Sequence, residues 1–338
     1  MRILKYILLL LLLFSVAFMV FVATQKGDYK ITRSKEIKVS KDIVFSFVSD
    51  STSFQDWSPW KSNATLKNLT LTSNDSLSQL INISGIANKS SMRFQKTKDG
   101  VLVTWEIKGS LNFKLKFLSV VQGGVGSVLG KELNNGLQNI DNYLIKELTS
   151  YEIKVNGAVT KHMTNYIQQI DTCNTEDFHK VSKKMLQNMM QFVKKNEIVI
   201  LGLPFITYEN INLNKKEIVF AMCVPVEEEI LTTPGSEISG GHFDEFLAVK
   251  TTLVGDYSHR KEAWSKARAF AKKNKLKEEP SLGKFIEIYK VSLPNERKPS
   301  KWVTELYLPV RRIEYAPKSK TDTSNEVTST STEVTSKQ

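Results

Sequence analysis

A chain of 338 residues with 41% hydrophobic and 24% charged residues is long enough for two folded domains and has the composition of a globular protein. With only two cysteines, Cys173 and Cys223, it is not a small scaffold held together by disulfides. One bridge and two separate buried thiols both remain open. The net charge of +12 would suit nucleic acid, but the first residues of the chain argue against that partner.

Residues 1–25 predict a transmembrane anchor. Arg2 and Lys5 precede an apolar run from Tyr6 to Ala23, whose helical length approaches the ~30 Å of a bilayer core. A signal peptide has a shorter core and a small-residue cleavage site, which Val22-Ala23-Thr24 supplies poorly. We therefore favour a single-pass anchor over a cleaved signal, with a cytoplasmic N-terminus and periplasmic or extracellular soluble domains. The net positive charge is then explained by solubility near a membrane or by attraction to anionic lipid head groups. Nucleic acid is not an expected partner.

Residues 28–149 alternate between polar and apolar positions in short segments, which predicts a mainly antiparallel domain. A strand over 29–39 is followed by a short helix capped by Ser40 and then by a tryptophan-containing loop. Four short strands follow, over 65–72, 76–83, 91–96 and 101–108. The last element is a helix over 131–148, whose leucine and isoleucine residues recur every three to four positions.

The loop in this first domain carries Asp50 and the run Trp57-Ser58-Pro59-Trp60. This pattern resembles the START-like family (SRPBCC, polyketide cyclase type). The resemblance implies a helix-grip fold, in which a long helix lies on a curved sheet around an apolar pocket. Trp57 and Trp60 are then candidate ligand-binding residues at the pocket entrance. The alternative is that both rings cap the core beside the long helix.

Residues 151–315 contain an internal repeat. The corresponding positions are Gly202 and Gly283, Tyr208 and Tyr289, and Val224-Pro225-Val226 and Leu308-Pro309-Val310. A basic amphipathic helix precedes each copy, so each half predicts the order strand, helix, strand, strand. A duplicated unit of this length predicts two fused halves related by a pseudo-twofold axis.

Two acids break this repeat. Glu287 corresponds to Ile206 in the first half, and Glu305 corresponds to Ala221. The structural positions are repeated and the carboxylates are not, so these carboxylates are where we expect function.

Three motifs of the second domain point to a known family: Gly255-Asp256-Tyr257, Phe285-Ile286-Glu287-Ile288-Tyr289 and the run 304–310. They resemble the gyrase-inhibitor-like (GyrI-like) effector-binding domain, which also occurs in AraC-type and multidrug-responsive regulators. The resemblance implies a small-molecule ligand in the cleft between the halves, with Glu287 in that cleft. No helix-turn-helix accompanies the domain in this sequence, so the resemblance does not imply transcriptional control.

The candidate site residues lie on two strands. Phe285, Glu287 and Tyr289 share one strand face, opposite the aliphatic residues expected in the core. A carboxylate between two aromatic rings suits a lipophilic cation. Glu305 and Tyr307 share a face of the last strand and would add a second carboxylate if that face lines the same cleft. The alternative is a strand with its polar residues turned to solvent.

The sequence therefore predicts a membrane-anchored α+β protein that binds a small apolar or cationic molecule. A second hypothesis is a hydrolase that uses Glu287 with Tyr289 or Tyr307, which requires a raised Glu287 pKa and a water-accessible cleft. A third is an envelope interaction module without ligand, which the lack of a cavity beside Glu287 would favour. No cofactor is expected, and the four dispersed histidines predict no metal site. Residues 316–338 have the composition of a disordered tail.

Overall fold

The structure is a computed structural model that describes residues 2–73, 75–83, 85–121, 123–175, 177–212, 217–233, 235–293 and 295–313. The tail predicted over 316–338 lies outside these residues. The helices are α1 (Arg2–Thr24), α2 (Lys41–Val48), α3 (Phe54–Trp57), α4 (Phe113–Val121), α5 (Val125–Thr149), α6 (Phe178–Lys195) and α7 (Arg260–Lys273).

The strands form two antiparallel sheets, which confirms the mixed α+β class. The first sheet contains β1 (Asp28–Ile37), β2 (Ala64–Ser73), β3 (Ser76–Ile83), β4 (Ile86–Lys96) and β5 (Val101–Ser110). The second contains β6 (Glu152–Lys161), β7 (Thr164–Asn174), β8 (Phe205–Asn212), β9 (Glu217–Val226), β10 (Ser239–Phe243), β11 (Phe246–Val254), β13 (Ile286–Val291) and β14 (Val303–Arg312), and the short strand β12 (Leu276–Glu278) pairs with β14.

Helix α1 is apolar around its whole circumference. The segment Ile3–Thr24 has a mean hydropathy of 2.9 and is long enough to cross a membrane, a property that N-terminal signal sequences share. Its C-terminal end contacts α4, where Phe18 meets Phe117 edge to face at 5.9 Å. The ammonium group of Lys116 also donates to the carbonyl of Ala23 at 3.1 Å.

The first sheet has the strand order β1-β5-β4-β3-β2, and α5 packs against it. The buried stripe of α5 contains the side chains that the sequence pattern indicated: Leu133, Leu137, Ile140 and Leu144, each at most 1% exposed. The helix begins at Val125, earlier than the predicted start at Lys131. Helix α4 before it was not predicted.

Helix α5 approaches the sheet closely at Gly136. A Cβ atom at this position would lie 2.5 Å from the Trp105 ring and 3.1 Å from Cδ of Pro59. Trp105 is itself fully buried, and its indole N–H donates to Ser90 Oγ at 2.8 Å. The glycine therefore lets the helix pack against a ring that cannot move away without losing a buried hydrogen bond.

This packing predicts opposite effects for one substitution at two positions of α5. Gly136→Ala should lower the free energy of unfolding by about 1–3 kcal/mol, because overpacking outweighs the better helix propensity of alanine. Gly126→Ala is the matched control, since none of the described residues places an atom within 4 Å of the point where its Cβ would lie. It should be neutral or stabilise by up to about 1 kcal/mol. Urea unfolding measures both, and equal effects would contradict the packing argument.

The second sheet has the order β10-β7-β9-β8-β13-β14-β11-β6. The central pair is β8 and β13. Moving outward from this pair, β9 of the first half corresponds to β14 of the second half, and β7 corresponds to β11. Each half runs strand, helix, strand, strand, as β7-α6-β8-β9 and β11-α7-β13-β14. Ile206 and Glu287, which correspond in the repeat, are direct partners across this central pair.

Helices α6 and α7 cover the same face of the second sheet. Ile206 packs in the cluster that contains the α6 methionines, and Leu306 packs against Ala263 of α7. Strand pairing places Glu287 beside both residues, with its side chain on the same face. The acid therefore lies at the centre of the sheet, beneath the helix layer. Cys173 and Cys223 are both free thiols.

Candidate functional site

Glu287 is a buried carboxylate with a complete set of hydrogen-bond donors. Its Oε2 atom accepts from the hydroxyls of Tyr208 and Tyr289, each at 2.8 Å, and from the Arg260 guanidinium at 3.1 Å. Its Oε1 atom accepts from the Trp264 indole N–H at 2.8 Å. The residue is 1% exposed. Such a set of donors and one full positive charge make burial of the carboxylate tolerable.

The Arg260 guanidinium lies among aromatic rings as well as against the acid. Its central carbon is 5.2 Å from the Phe178 ring centroid and 6.0 Å from that of Tyr257, within the range of cation–π attraction. The guanidinium also donates to the Tyr208 and Tyr289 hydroxyls, at 3.3 and 2.9 Å. The Arg260 side chain remains 26% exposed, so it separates Glu287 from solvent. We call the Glu287 carboxylate and the rings of Phe178, Tyr208, Tyr257, Trp264 and Tyr289 the acid–aromatic box.

The protonation states in the box follow from this arrangement. Burial by itself would raise the pKa of Glu287, but the Arg260 charge and the three neutral donors outweigh it and hold the pKa below its ordinary value. Burial raises the pKa of Tyr208 and of Tyr289, and the neighbouring carboxylate adds to the effect at both hydroxyls. At neutral pH the box therefore combines an ionised acid with neutral tyrosine donors.

The structure separates the predicted site residues into two groups. Phe285 joins the box region, where it meets Trp264 edge to face at 5.9 Å. Glu305 and Tyr307 lie on the opposite face of the sheet, because Ile288 pairs with Glu305 and Ile286 with Tyr307. The condition that Glu305 would need to meet, a place on the same face as Glu287, is therefore not fulfilled. Strand alternation separated the two faces correctly, but both faces of this sheet carry buried apolar side chains, so it could not show which one meets the helices.

Glu305 has cationic partners of its own on that opposite face. Its carboxylate lies 3.0 Å from the Lys250 ammonium and 3.6 Å from that of Lys290, and it accepts from the Tyr307 hydroxyl at 2.9 Å. Burial acts to raise the pKa of Glu305, but these contacts lower it overall. The two acids therefore do not form a carboxylate pair.

Trp57 and Trp60 lie in the first sheet's core. Trp57 is fully buried and meets Trp105 at 5.4 Å, while the partly buried Trp60 ring lies 5.7 Å from Trp105. This geometry favours the alternative of core packing. Over the described ranges, no three His, Cys, Asp or Glu side chains come together as a metal site.

Sequence reasoning missed five members of the site. They are Arg260 and the rings of Phe178, Tyr208, Tyr257 and Trp264; of these, Tyr208 was singled out only as a repeat position and Tyr257 only as part of a family motif. The signal for Arg260 was its spacing, because it lies three residues before the buried Ala263 and four before Trp264. Residues at these separations share a helix face, which directs the guanidinium toward the sheet.

The second sheet of this mixed α+β chain thus brings an ionised carboxylate, a guanidinium group and aromatic rings together. Residues 165–311 match the family model of the GyrI-like small molecule binding domain, and this part of the chain is a GyrI-like domain. No curated protein matches the chain.

Several solved structures are similar to part of the chain. The EcmrR C-terminal domain is 15% identical, and the alignment covers 48% of this chain and 99% of that one with a TM-score of 0.41. EcmrR in a DNA complex is 15% identical, and the alignment covers 60% of this chain and 70% of that one with a TM-score of 0.41. A hydrolase from Listeria innocua is 14% identical, with 47% of this chain and 92% of that one covered and a TM-score of 0.34. SAV2435 bound to tetraphenylphosphonium is 9% identical, with 48% of this chain and 93% of that one covered and a TM-score of 0.31.

The ion pair predicts a pH-dependent contribution to stability. Because the pKa of Glu287 is lowered in the folded protein, the stabilisation is complete above the unfolded-state pKa of about 4.3. It is lost as the pH falls through the folded-state value. At about pH 7, Glu287→Gln should reduce the free energy of unfolding by about 3 kcal/mol, the lower end of the range for breaking a buried pair, since Arg260 is partly exposed.

Glu209→Gln is the matched control for this experiment. Glu209 pairs with Lys284 at 3.0 Å, but both side chains are more than one third exposed. Its loss should cost less than about 1 kcal/mol. Urea unfolding at neutral pH and in acid, below the unfolded-state pKa, measures both variants. A Glu287→Gln deficit that stays constant over this pH range would contradict the ionised state of the acid.

Proposed function

We propose that the GyrI-like domain binds a small organic cation in the acid–aromatic box, with Glu287 as its charge partner. The observation that supports this proposal is that the box already holds a guanidinium group against an ionised carboxylate and aromatic rings. A ligand with a similar cation and an apolar body would make the same contacts. The family to which this domain belongs is described by small-molecule binding.

Ligand binding in this proposal is an exchange with Arg260. Arg260 is the first residue of α7, and its partly exposed side chain can leave the box toward solvent while the helix stays in place. The incoming cation replaces the charge, so Glu287 never remains unpaired. Only the fraction of molecules with Arg260 outside the box is competent to bind, which lowers the apparent affinity in proportion.

The hydrolase hypothesis receives less support from the same contacts. Tyr208 and Tyr289 lie within hydrogen-bond reach of Glu287, as that hypothesis requires. A general base, however, needs a raised carboxyl pKa, and the pKa of Glu287 is lowered. The interaction-module hypothesis is supported by the packing of the box, because Arg260 and the surrounding rings enclose Glu287 and leave it 1% exposed. A binding experiment separates it from our proposal.

Benzylguanidinium is a suitable probe, because it carries the group that Arg260 inserts, and benzylurea is its neutral analogue. Titration calorimetry on the full chain in phosphatidylcholine nanodiscs should show binding of benzylguanidinium but not of benzylurea. Arg260→Ala should bind the cation at least about tenfold more tightly, because the competing group is gone. Glu287→Gln should lose the binding.

Lys266→Ala is the control for loss of a positive charge on α7. Lys266 pairs with Glu262 at the surface, at 2.9 Å, and its removal should leave affinity unchanged. If Arg260→Ala is destabilised by its unpaired acid, benzylguanidinium should raise its unfolding temperature more than that of the wild type. Failure of both the wild type and Arg260→Ala to distinguish the cation from the neutral analogue would rule out the proposed function.

We also propose a domain organisation in which residues 28–149 form a START-like helix-grip domain and 151–315 the effector-binding domain. The packing of α5 against the first antiparallel sheet supports the first assignment. Helix α1 would anchor the chain in a membrane, with both sheets on the periplasmic or extracellular side. Small molecules and the membrane, rather than nucleic acid, are the partners in this proposal.

The anchor leads to a fractionation experiment. The full chain should sediment with membranes and resist extraction by high salt, and mass spectrometry should find residues 1–24 still attached. Deletion of residues 2–24 should move the protein to the soluble fraction, because α1 carries the apolar surface. A mature protein that begins after residue 24 would instead identify α1 as a cleaved signal.

A further inference from the structure

The face of the second sheet opposite the helices contains an open cavity of about 570 Å³. This volume lies within the ~300–1,000 Å³ range of small-molecule sites. Its lining combines exposed apolar side chains with lysines: Met163, Leu201, Leu203, Lys161, Lys290 and, as an acid, Glu305. The whole thickness of the sheet separates this cavity from the acid–aromatic box, because the paired strands direct Glu305 and Glu287 to opposite faces.

Lys161 is the distinctive charge in this cavity. Its ammonium group lies 5.4 Å from the Phe243 ring centroid and 5.7 Å from that of Tyr307. Among the residues that the structure describes, no carboxylate lies within 4 Å of it. Burial lowers the pKa of Lys161, and the more distant Glu305 only partly restores it. A partly buried ammonium without a counter-ion gains from a bound anion.

The nearby acids do not supply that anion. The Glu305 carboxylate is engaged by Lys250 and Lys290, so its charge is already compensated. Glu227, the other acid in the lining, is an exposed residue. The cavity lining contains two lysines and two glutamates, so Lys161 is distinguished by the lack of a close carboxylate and not by an excess of positive charge.

The apolar part of the cavity lies beside these lysines. Met163 is 62% exposed, Leu201 64% and Leu203 46%. Three large apolar side chains exposed around one opening are a common property of ligand-binding surfaces. A ligand that covers them would remove apolar surface from water, which is favourable.

We propose that this cavity binds a carboxylate with an apolar tail, its head group on Lys161 and its tail along Met163, Leu201 and Leu203. The bound carboxylate supplies the counter-ion that Lys161 lacks. Lys290 lies at the same cavity wall and can share the head group. This site accepts an anion, whereas the acid–aromatic box accepts a cation, so the two sites select ligands of opposite charge.

Three probes with the same tail test this site: octanoate, octylammonium and octanol. Binding is measured on the full chain in phosphatidylcholine nanodiscs, with empty nanodiscs as the reference for partitioning into lipid. Octanoate should bind at least about tenfold more tightly than octylammonium, the factor expected for one charged hydrogen bond. Lys161→Gln should weaken octanoate binding by about the same factor.

Lys183→Gln is the matched control, because Lys183 is an exposed lysine on α6. It should leave octanoate binding unchanged, and an excess of benzylguanidinium should not displace octanoate from the wild type, which separates this site from the proposed cation site. If Lys161→Gln fails to fold, wild-type protein gives the second measurement. Octanoate should then protect Lys161, but not Lys183, from acetylation by an N-hydroxysuccinimide ester.

Two results would overturn the proposal. One is equal affinity for octanoate and octylammonium, and the other is an equal effect of Lys161→Gln and Lys183→Gln. Anionic lipid offers a similar head group from the bilayer, so phosphatidylserine nanodiscs form a further arm. Displacement of octanoate by phosphatidylserine would replace the free carboxylate with a lipid head group as the ligand.

Discussion

The ion pair between Glu287 and Arg260 is the constraint on which the second sheet depends. A carboxylate at the centre of a sheet, 1% exposed, is costly unless its charge is matched and its oxygens are hydrogen-bonded. Tyr208, Tyr289 and Trp264 supply the hydrogen bonds, and Arg260 supplies the charge. One donor comes from the first half, and the others come from the second half, so the pair also ties the halves together.

The segment that positions Arg260 is also held by the first domain. His259, its neighbour, contacts the carbonyl oxygen of Leu148 through its ring Nε2 at 2.8 Å and stacks on Tyr151 at 3.5 Å. Leu148 lies in the last turn of α5, the helix that packs on the first sheet. A shift of α5 would therefore reach the residue that closes the acid–aromatic box.

Much of the fold could be predicted from the sequence, because the spacing of apolar residues indicates the helices and strands and the internal repeat indicates two equivalent halves. The stripe of α5 and the equivalence of Ile206 with Glu287 both follow from residue spacing. The composition of the box was less accessible, since it depends on which sheet face meets the helices. Glu287 and Glu305 lie on adjacent strands with the same alternation, and only the tertiary packing assigns them to opposite faces. Arg260 was missed because a basic residue at a helix start usually points to solvent.

The two acids that break the internal repeat are each neutralised by basic residues, and in each case only one half of the pseudo-twofold carries the charge. The first half has Ile206 and Ala221 in the corresponding positions, both at most 1% exposed and uncharged. A symmetric ligand site would need charge in both halves. The charged groups therefore come from the second half, while the first half supplies apolar side chains. On the helix face these include Phe178, and on the opposite face they include Leu201 and Leu203.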